Sequence, residues 1–373
     1  MAGSVPPSPS YVRFVGVAFL IAVAYAQTPI AHSDKKSGAI FKNVKVLSDI
    51  PSKQLIPAME FITSALGVQC SYCHVENAFD KDDKEPKQIA RRMIRMTLDI
   101  NSQQFQGHQD VTCYSCHRGS PKPLATPPVP DSPLQLLSER TPDSRPRPAD
   151  LPKPDDVVQK YIAALGGTNA IARLTSLHVQ GMFNAGSIEY PVDIFKKAPD
   201  RIATVIHFPS GDGVTAVNGN SGWILFPGRL LRDLSPAEAD AIRMQADLQL
   251  ALELPHVFST LEVTGVLKIH AQDAMIVSGN RPGLPPVTLY FDAHTGLLLR
   301  DLRSARSPLG LNPTQIDYSD YRTVEGVKVP FHWIAATPTG RFSIQIRTVT
   351  PNALIPNDVF AKPRVSSKAG KEN

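Results

Sequence analysis

Apolar and polar positions along the chain follow three different rhythms. A continuous apolar run, Phe14 to Tyr25, comes first. Helical spacing follows in Ile56-Pro57-Ala58-Met59-Glu60-Phe61-Ile62-Thr63-Ser64-Ala65-Leu66, with Pro57 suited to a first turn and Gly67 to a C-terminal stop. From Pro86 to about Phe105, Ile89, Met93, Met96 and Ile100 recur at intervals of four, three and four, which predicts a second helix with one apolar stripe. A third, Val157, Val158, Ile162 and Leu165, ends at Gly166-Gly167. Beyond it, strand-like runs are predicted at Ser176–Phe183, Ile188–Phe195, Arg201–Phe208, Gly222–Phe226, Leu261–His270, Ala274–Ser278, Val287–Phe291, Leu297–Leu302, Gln315–Tyr321, Val327–Ala335 and Arg341–Val349. A helical insert from Ser235, an N-cap with Glu238 three residues on, to Glu253 interrupts them. His294-Thr295-Gly296 and Glu325-Gly326 supply turn chemistry. The pattern predicts an α+β chain: a mainly helical first domain, then an antiparallel β half-barrel-like domain with a few helices.

Composition divides the 373 residues further. Eleven prolines fall between Pro121 and Pro154, a stretch unable to bury a core. The expected organisation is a signal peptide over 1–26, a first domain over 33–120, a proline-rich linker over 121–154, a β-rich domain over 155–363 and a disordered tail over 364–373. The first apolar run is too short for a comfortable membrane span and ends at Ala24-Tyr25-Ala26, a signal-peptidase pattern. Export to the periplasm is therefore expected, with membrane association left open. No cysteine stands near that point to be acylated. A net charge of +5 gives no case for nucleic acid.

All four cysteines stand in two pentapeptides, Cys70-Ser71-Tyr72-Cys73-His74 and Cys113-Tyr114-Ser115-Cys116-His117. Export alone would predict two disulfides. The added histidine, twice, instead matches the attachment pattern of c-type haem. Two thiols add to the two vinyl groups on one porphyrin edge, and the adjacent imidazole binds iron. The expected cofactors are two covalently bound haem c groups, with His74 and His117 as iron ligands. Each iron has a sixth position, where thioether raises the potential and a second imidazole lowers it. Met59, Met93 and Met96 are the methionines of this domain. Met59 precedes Cys70 on a helix that points it at the haem just downstream. Met93 and Met96 share the second helix, where one of them is core packing; His108 is the rival ligand for the second haem. Arg91, Arg92, Arg95 and Arg118 are candidates for pairing with haem propionates.

The segments Ala90-Arg91-Arg92-Met93-Ile94-Arg95-Met96-Thr97-Leu98-Asp99-Ile100-Asn101 and Val111-Thr112-Cys113-Tyr114-Ser115-Cys116-His117-Arg118-Gly119 resemble the photosynthetic reaction-centre cytochrome c subunit. So does the Met59 helix leading into Cys70. The resemblance covers Phe41 to Ser120 and looks like one haem pair of that family's tetrahaem subunit. It implies that each helix runs beside its haem and supplies the axial methionine: Met59 for the first iron, Met93 for the second. The departures are two motifs rather than four, no N-terminal lipidated cysteine, and no family counterpart to residues 155–363. That last region, through Tyr290-Phe291-Asp292-Ala293-His294-Thr295-Gly296-Leu297 and Gly326-Val327-Lys328-Val329-Pro330-Phe331, resembles outer-membrane lipoprotein-sorting proteins.

The expected function is electron transfer rather than catalysis, with other redox proteins of the periplasm or membrane as partners. Two other classes are weighed. A haem peroxidase-like enzyme requires an open sixth position and a distal acid–base group. A lipid- or quinone-binding β-rich domain makes the haems a tethered redox module. His178, His207, His256, His270, His294 and His332 show no metal-ligand spacing and read as ordinary histidines.

Overall fold

The computed structural model describes residues 35–129 and 151–363. The signal peptide, most of the proline-rich linker and the tail expected above lie outside the described residues. The chain divides into two compact units, Met1–Pro121 and Lys122–Asn373.

The first unit is helical: α1 (Ser37–Ile40), α2 (Leu55–Leu66), α3 (Glu85–Gln104) and α4 (Cys113–His117). Helix α2 starts two residues before the predicted proline, so Pro57 still lies in the first turn, where its missing N–H is not needed. Its end is a Schellman closure. Gly67, at φ 65°, donates to the Ser64 carbonyl and Val68 to that of Thr63. A Cβ on Gly67 would stand 2.2 Å from the Gly119 carbonyl oxygen, and the Gly119 N–H donates to Ala65 at 2.9 Å. The end of α2 therefore abuts the residues just after α4, backbone on backbone. Asn101, buried on α3, both donates to and accepts from Val111, fixing the approach to α4.

The second unit opens with α5 (Pro154–Leu165), with proline and two aspartates in its first turn. Val157, Val158, Ile162 and Leu165 are buried as the periodicity predicts, and Gly166 stops the helix. After α6 (Thr168–Ala172) the chain builds one 13-stranded antiparallel sheet. The first meander is β1 (Ser176–Ala185), β2 (Ile188–Lys197), β3 (Arg201–Phe208), β4 (Gly211–Asn218), β5 (Ser221–Leu225) and β6 (Arg232–Asp233). Helices α7 (Pro236–Ala246) and α8 (Leu250–Val257) follow. The second meander is β7 (Thr260–Ile269), β8 (Gln272–Asn280), β9 (Val287–Asp292), β10 (Leu298–Ser307), β11 (Gly310–Val324), β12 (Val327–Thr337) and β13 (Gly340–Pro351). Pairing of β1 with β13 joins the two, leaving β6 and β7 as the edges. The Glu325–Gly326 hairpin has both residues at positive φ, 47° and 86°, the twist that antiparallel neighbours demand.

Helix α7 begins at the predicted capping box. Glu238 N–H donates to Ser235 Oγ at 3.3 Å, and Ser235 N–H to Glu238 Oε2 at 2.8 Å. This one helix touches both β3 and β10, six strand steps apart. On a flat sheet that is roughly 29 Å, whereas 11 helical residues reach about 16 Å. The sheet therefore curls around α7. The single helical insert expected over 235–253 is two helices, divided where Asp247 leaves the helical region and accepts from Gln249 N–H.

Candidate haem sites

Helix α2 leads directly into a short 3-10 turn, Cys70–Tyr72, whose residues belong to the first pentapeptide. Cys70, Cys73, His74, Met59 and Phe79 line one cavity of about 650 Å³, with Ile62 and Ile94 among its apolar walls. Met59 of α2 and the first pentapeptide thus border the same space. Helix α3 presents its Lys87, Ala90, Arg91 and Ile94 face to this cavity.

Each pentapeptide histidine is fixed in the same way. His74 Nδ1 lies 3.0 Å from the Phe79 carbonyl oxygen, and His117 Nδ1 2.9 Å from that of Ser120. A carbonyl only accepts, so the proton sits on Nδ1 in both rings. Nε2 then carries the free lone pair that an iron requires, with its ring orientation set by the outer partner. The four cysteines are unpaired. Burial holds the Cys73 and Cys113 thiols above their ordinary range, so neither stands out as a reactive thiolate.

The second pentapeptide forms α4, and Thr112 N–H donates to Ser115 Oγ at its start. Around it the surface is open rather than enclosed. Tyr114 is 56% exposed, Met93 36% and Met96 44%. Met96 borders a shallow groove with Arg92, Arg95 and Asp99, while Met93 lies about 60° away around the helix. His108 is exposed, in the turn after α3.

The propionate candidates separate. Arg91 lies at the cavity, but its guanidinium already donates to Asp82 at 2.9 Å and to the Asn43 carbonyl at 3.0 Å. Asp82 also meets Lys87 at 3.1 Å and Lys45 at 3.4 Å. Arg91 first, and Lys87 after it, hold the Asp82 carboxyl far below the usual range. Arg92 and Arg95 border the shallow groove instead, and Arg118 is exposed at the left-handed residue that ends α4. Sequence reasoning missed Lys87, which is only 7% exposed. Nothing in a run of charged residues marks the one that turns inward.

The donor set fits haem c: paired thiols at the required spacing, imidazoles with free Nε2, and a cavity walled by apolar side chains. In residues 35–121 the buried apolar side chains are Leu55 and Ala65, while Ile56, Phe61, Tyr72 and Phe79 are exposed, Ile56 and Phe79 of them at the cavity. This unit is folded around a space rather than around its own side chains.

The β-rich unit holds charge inside. Asp301 is fully buried, accepting from Tyr318 at 2.6 Å and from Arg303 at 2.8 Å. Arg303 also donates to the Ala241 carbonyl of α7. Nearby, burial lowers the Lys196 ammonium to about 8. His178 and His207 both meet Asp193, at 2.6 and 2.8 Å, and His207 Nδ1 meets Asp212 at 2.8 Å. Among the described residues no group of three or more His, Cys, Asp or Glu is arranged to hold a metal ion. No helix of the described residues is long and apolar enough to cross a membrane.

Residues 18–143 match the family model of the photosynthetic reaction centre cytochrome C subunit. The first unit is accordingly cytochrome c-like, the class that binds haem covalently. Among curated relatives, the photosynthetic reaction center cytochrome c subunit of Rubrivivax gelatinosus is 40% identical over 103 residues, 26% of this chain and 27% of that one. Cytochrome c-554 of Chloroflexus aurantiacus is 37% identical over 89 residues, 22% of this chain and 21% of that one. The chain spans about a quarter of the length of the curated relatives it matches. Among solved structures, a LolA superfamily protein from Nitrosomonas europaea superposes with a TM-score of 0.39 at 13% identity, covering 57% of this chain and 99% of that one. An outer membrane lipoprotein-sorting protein domain from Vibrio parahaemolyticus gives 0.38 at 10%, covering 55% and 94%.

Proposed function

We propose that this chain is an exported, periplasmic dihaem c-type cytochrome that passes electrons between redox partners of the periplasm or membrane. The observation that carries the reading is the pair of Cys-x-x-Cys-His pentapeptides whose imidazoles each give Nδ1–H to a following carbonyl. Cys70, Cys73 and His74 would hold the first haem, and Met59 of the same cavity would supply a thioether to its iron. Cys113, Cys116 and His117 would hold the second, with Met93 as axial ligand and Met96 and His108 as rivals. Bound haem supplies a one-electron couple. The chain's own part is to fix both imidazoles, exclude water from the first site and leave an edge of the second open to a partner. The signal peptide, the proline-rich linker and the separate β-rich domain complete the organisation.

A pyridine haemochrome spectrum with intact mass tests this. Two haem adducts on the mature chain are expected, and material weighing no more than its polypeptide refutes it. Met59→His and Met93→His should each lower the potential of a different haem. Carbon monoxide separates the peroxidase reading, because an open sixth position binds it rapidly in the reduced protein. The buried Asp301 and Arg303 beneath α7, with the half-buried Lys196 near them, weigh against an acyl ligand there, which needs apolar walls.

A further inference from the structure

The two histidine sites differ in one buried contact. The Phe79 carbonyl, which accepts from His74 Nδ1, also accepts from Lys87 Nζ at 2.8 Å. Lys87 reaches it from α3 with its ammonium enclosed, held in place by the Lys81 carbonyl at 2.6 Å and by Asp82 at 3.1 Å. Asp82 is itself shared with Arg91 and Lys45, so one carboxylate answers three cations in this cluster. Among the described residues, the Ser120 carbonyl at the other site accepts from His117 alone.

We infer that Lys87 is a tuning residue that raises the reduction potential of the first haem above that of the second. The inference rests on the haem reading given above. A carbonyl on Nδ1–H pushes electron density into an imidazole and makes it a stronger donor to the metal, which favours the oxidised iron. An ammonium on the same oxygen draws that density back. A buried cation also disfavours the more positive oxidation state directly. Both effects have the same sign. Lys87 acts through His74 and the local field and touches no reacting atom.

The test is a potentiometric titration of the mature, full-length protein, with the first haem's step assigned by the Met59→His variant. Lys87→Met should shift the oxidised-to-reduced ratio of the first haem about tenfold toward oxidised at fixed poise, a fall of about 59 mV for one electron. The second haem should stay put, and the proton resonance of His74 Nδ1–H should move. Lys87→Arg, which keeps charge and donor, should remain near the parent. Should Lys87→Met fail to mature, Lys87→Gln retains a donor without charge and should give a smaller fall in the same haem alone. Unmoved potentials, an equal fall in both haems, or Lys87→Arg behaving as Lys87→Met would overturn the inference. A mature mass lacking two haem adducts would instead refute the haem reading itself.

Discussion

The two units solve opposite problems. Residues 35–121 bury two apolar side chains, Leu55 and Ala65, and turn many large ones toward a cavity and the surface. The second unit buries Tyr290, Phe291, Phe360, Ile171 and Leu254 almost completely, and places Asp301 and Arg303 among them. A unit of the first size gains only a few kcal/mol from a good core of its own, and this one has little. Its order must come from what binds it, whereas the second unit draws its order from its own sequence.

That contrast is open to attack, beginning with its largest consequence. In a host unable to attach haem, hydrogen exchange should show residues 35–121 unprotected and the sheet of the second unit protected; equal protection in both would abolish the distinction. Next comes the interior charge. Asp301→Ala leaves Arg303 buried without its partner, which costs about 3–5 kcal/mol and should lower the Tm of the second unit by roughly 10 °C. Calorimetry showing no change would mean that the interior of this unit is wetter than its geometry implies. In the first unit, Gly67→Ala puts a Cβ at positive φ against the Gly119 carbonyl, a loss of about 2 kcal/mol or more, read as a lower Tm of the haem-loaded protein.

The smallest effect is pH-dependent. His207 has a carboxylate on each ring nitrogen, Asp193 first and Asp212 second, and these raise its pKa. Its stabilising share is present below the unfolded value of about 6.5 and fades as pH rises through the raised folded value. Asp193 is partly buried, which opposes ionisation, but hydrogen bonds from His207 and His178 prevail and lower its pKa. Its share is lost only as pH falls through that depressed value. His207→Asn should therefore cost under about 1 kcal/mol, most at mildly acidic pH and least in alkali. A flat difference in Tm across that range would remove the charged histidine from the account.

Much of this was legible in the sequence, because period and punctuation are local. The strands from Ser176 to Val349, the Ser235 cap and the Gly67 stop follow from spacing and turn chemistry alone. Strand β4 was not read, because Gly211 and Gly213 dilute its alternation. Gly213 is small for a reason visible only in three dimensions: a Cβ there would stand 2.6 Å from Phe208 and Phe226. The start of β11 was missed at Pro313, a residue that argues against an interior strand yet pairs with Ser304. At the candidate haem sites the proposed ligands His74 and His117 are named by motif. Lys87 and Asp82 are not, since what matters is which charged side chain the helix turns inward. The inward charges of β10, written Leu298-Leu299-Arg300-Asp301-Leu302-Arg303, read as a half-exposed strand until its neighbours cover both faces.

The close approach of Gly67 and Gly119 has a consequence for rate. Gly67 marks where the chain leaves α2 for the first pentapeptide, Gly119 where it leaves the second. With no side chain between them, the approach of these two segments is set by main chain alone. Tunnelling falls off steeply with distance, so if each segment holds a haem as proposed, a Gly67 or Gly119 side chain that pushed the two apart would slow the hop between them.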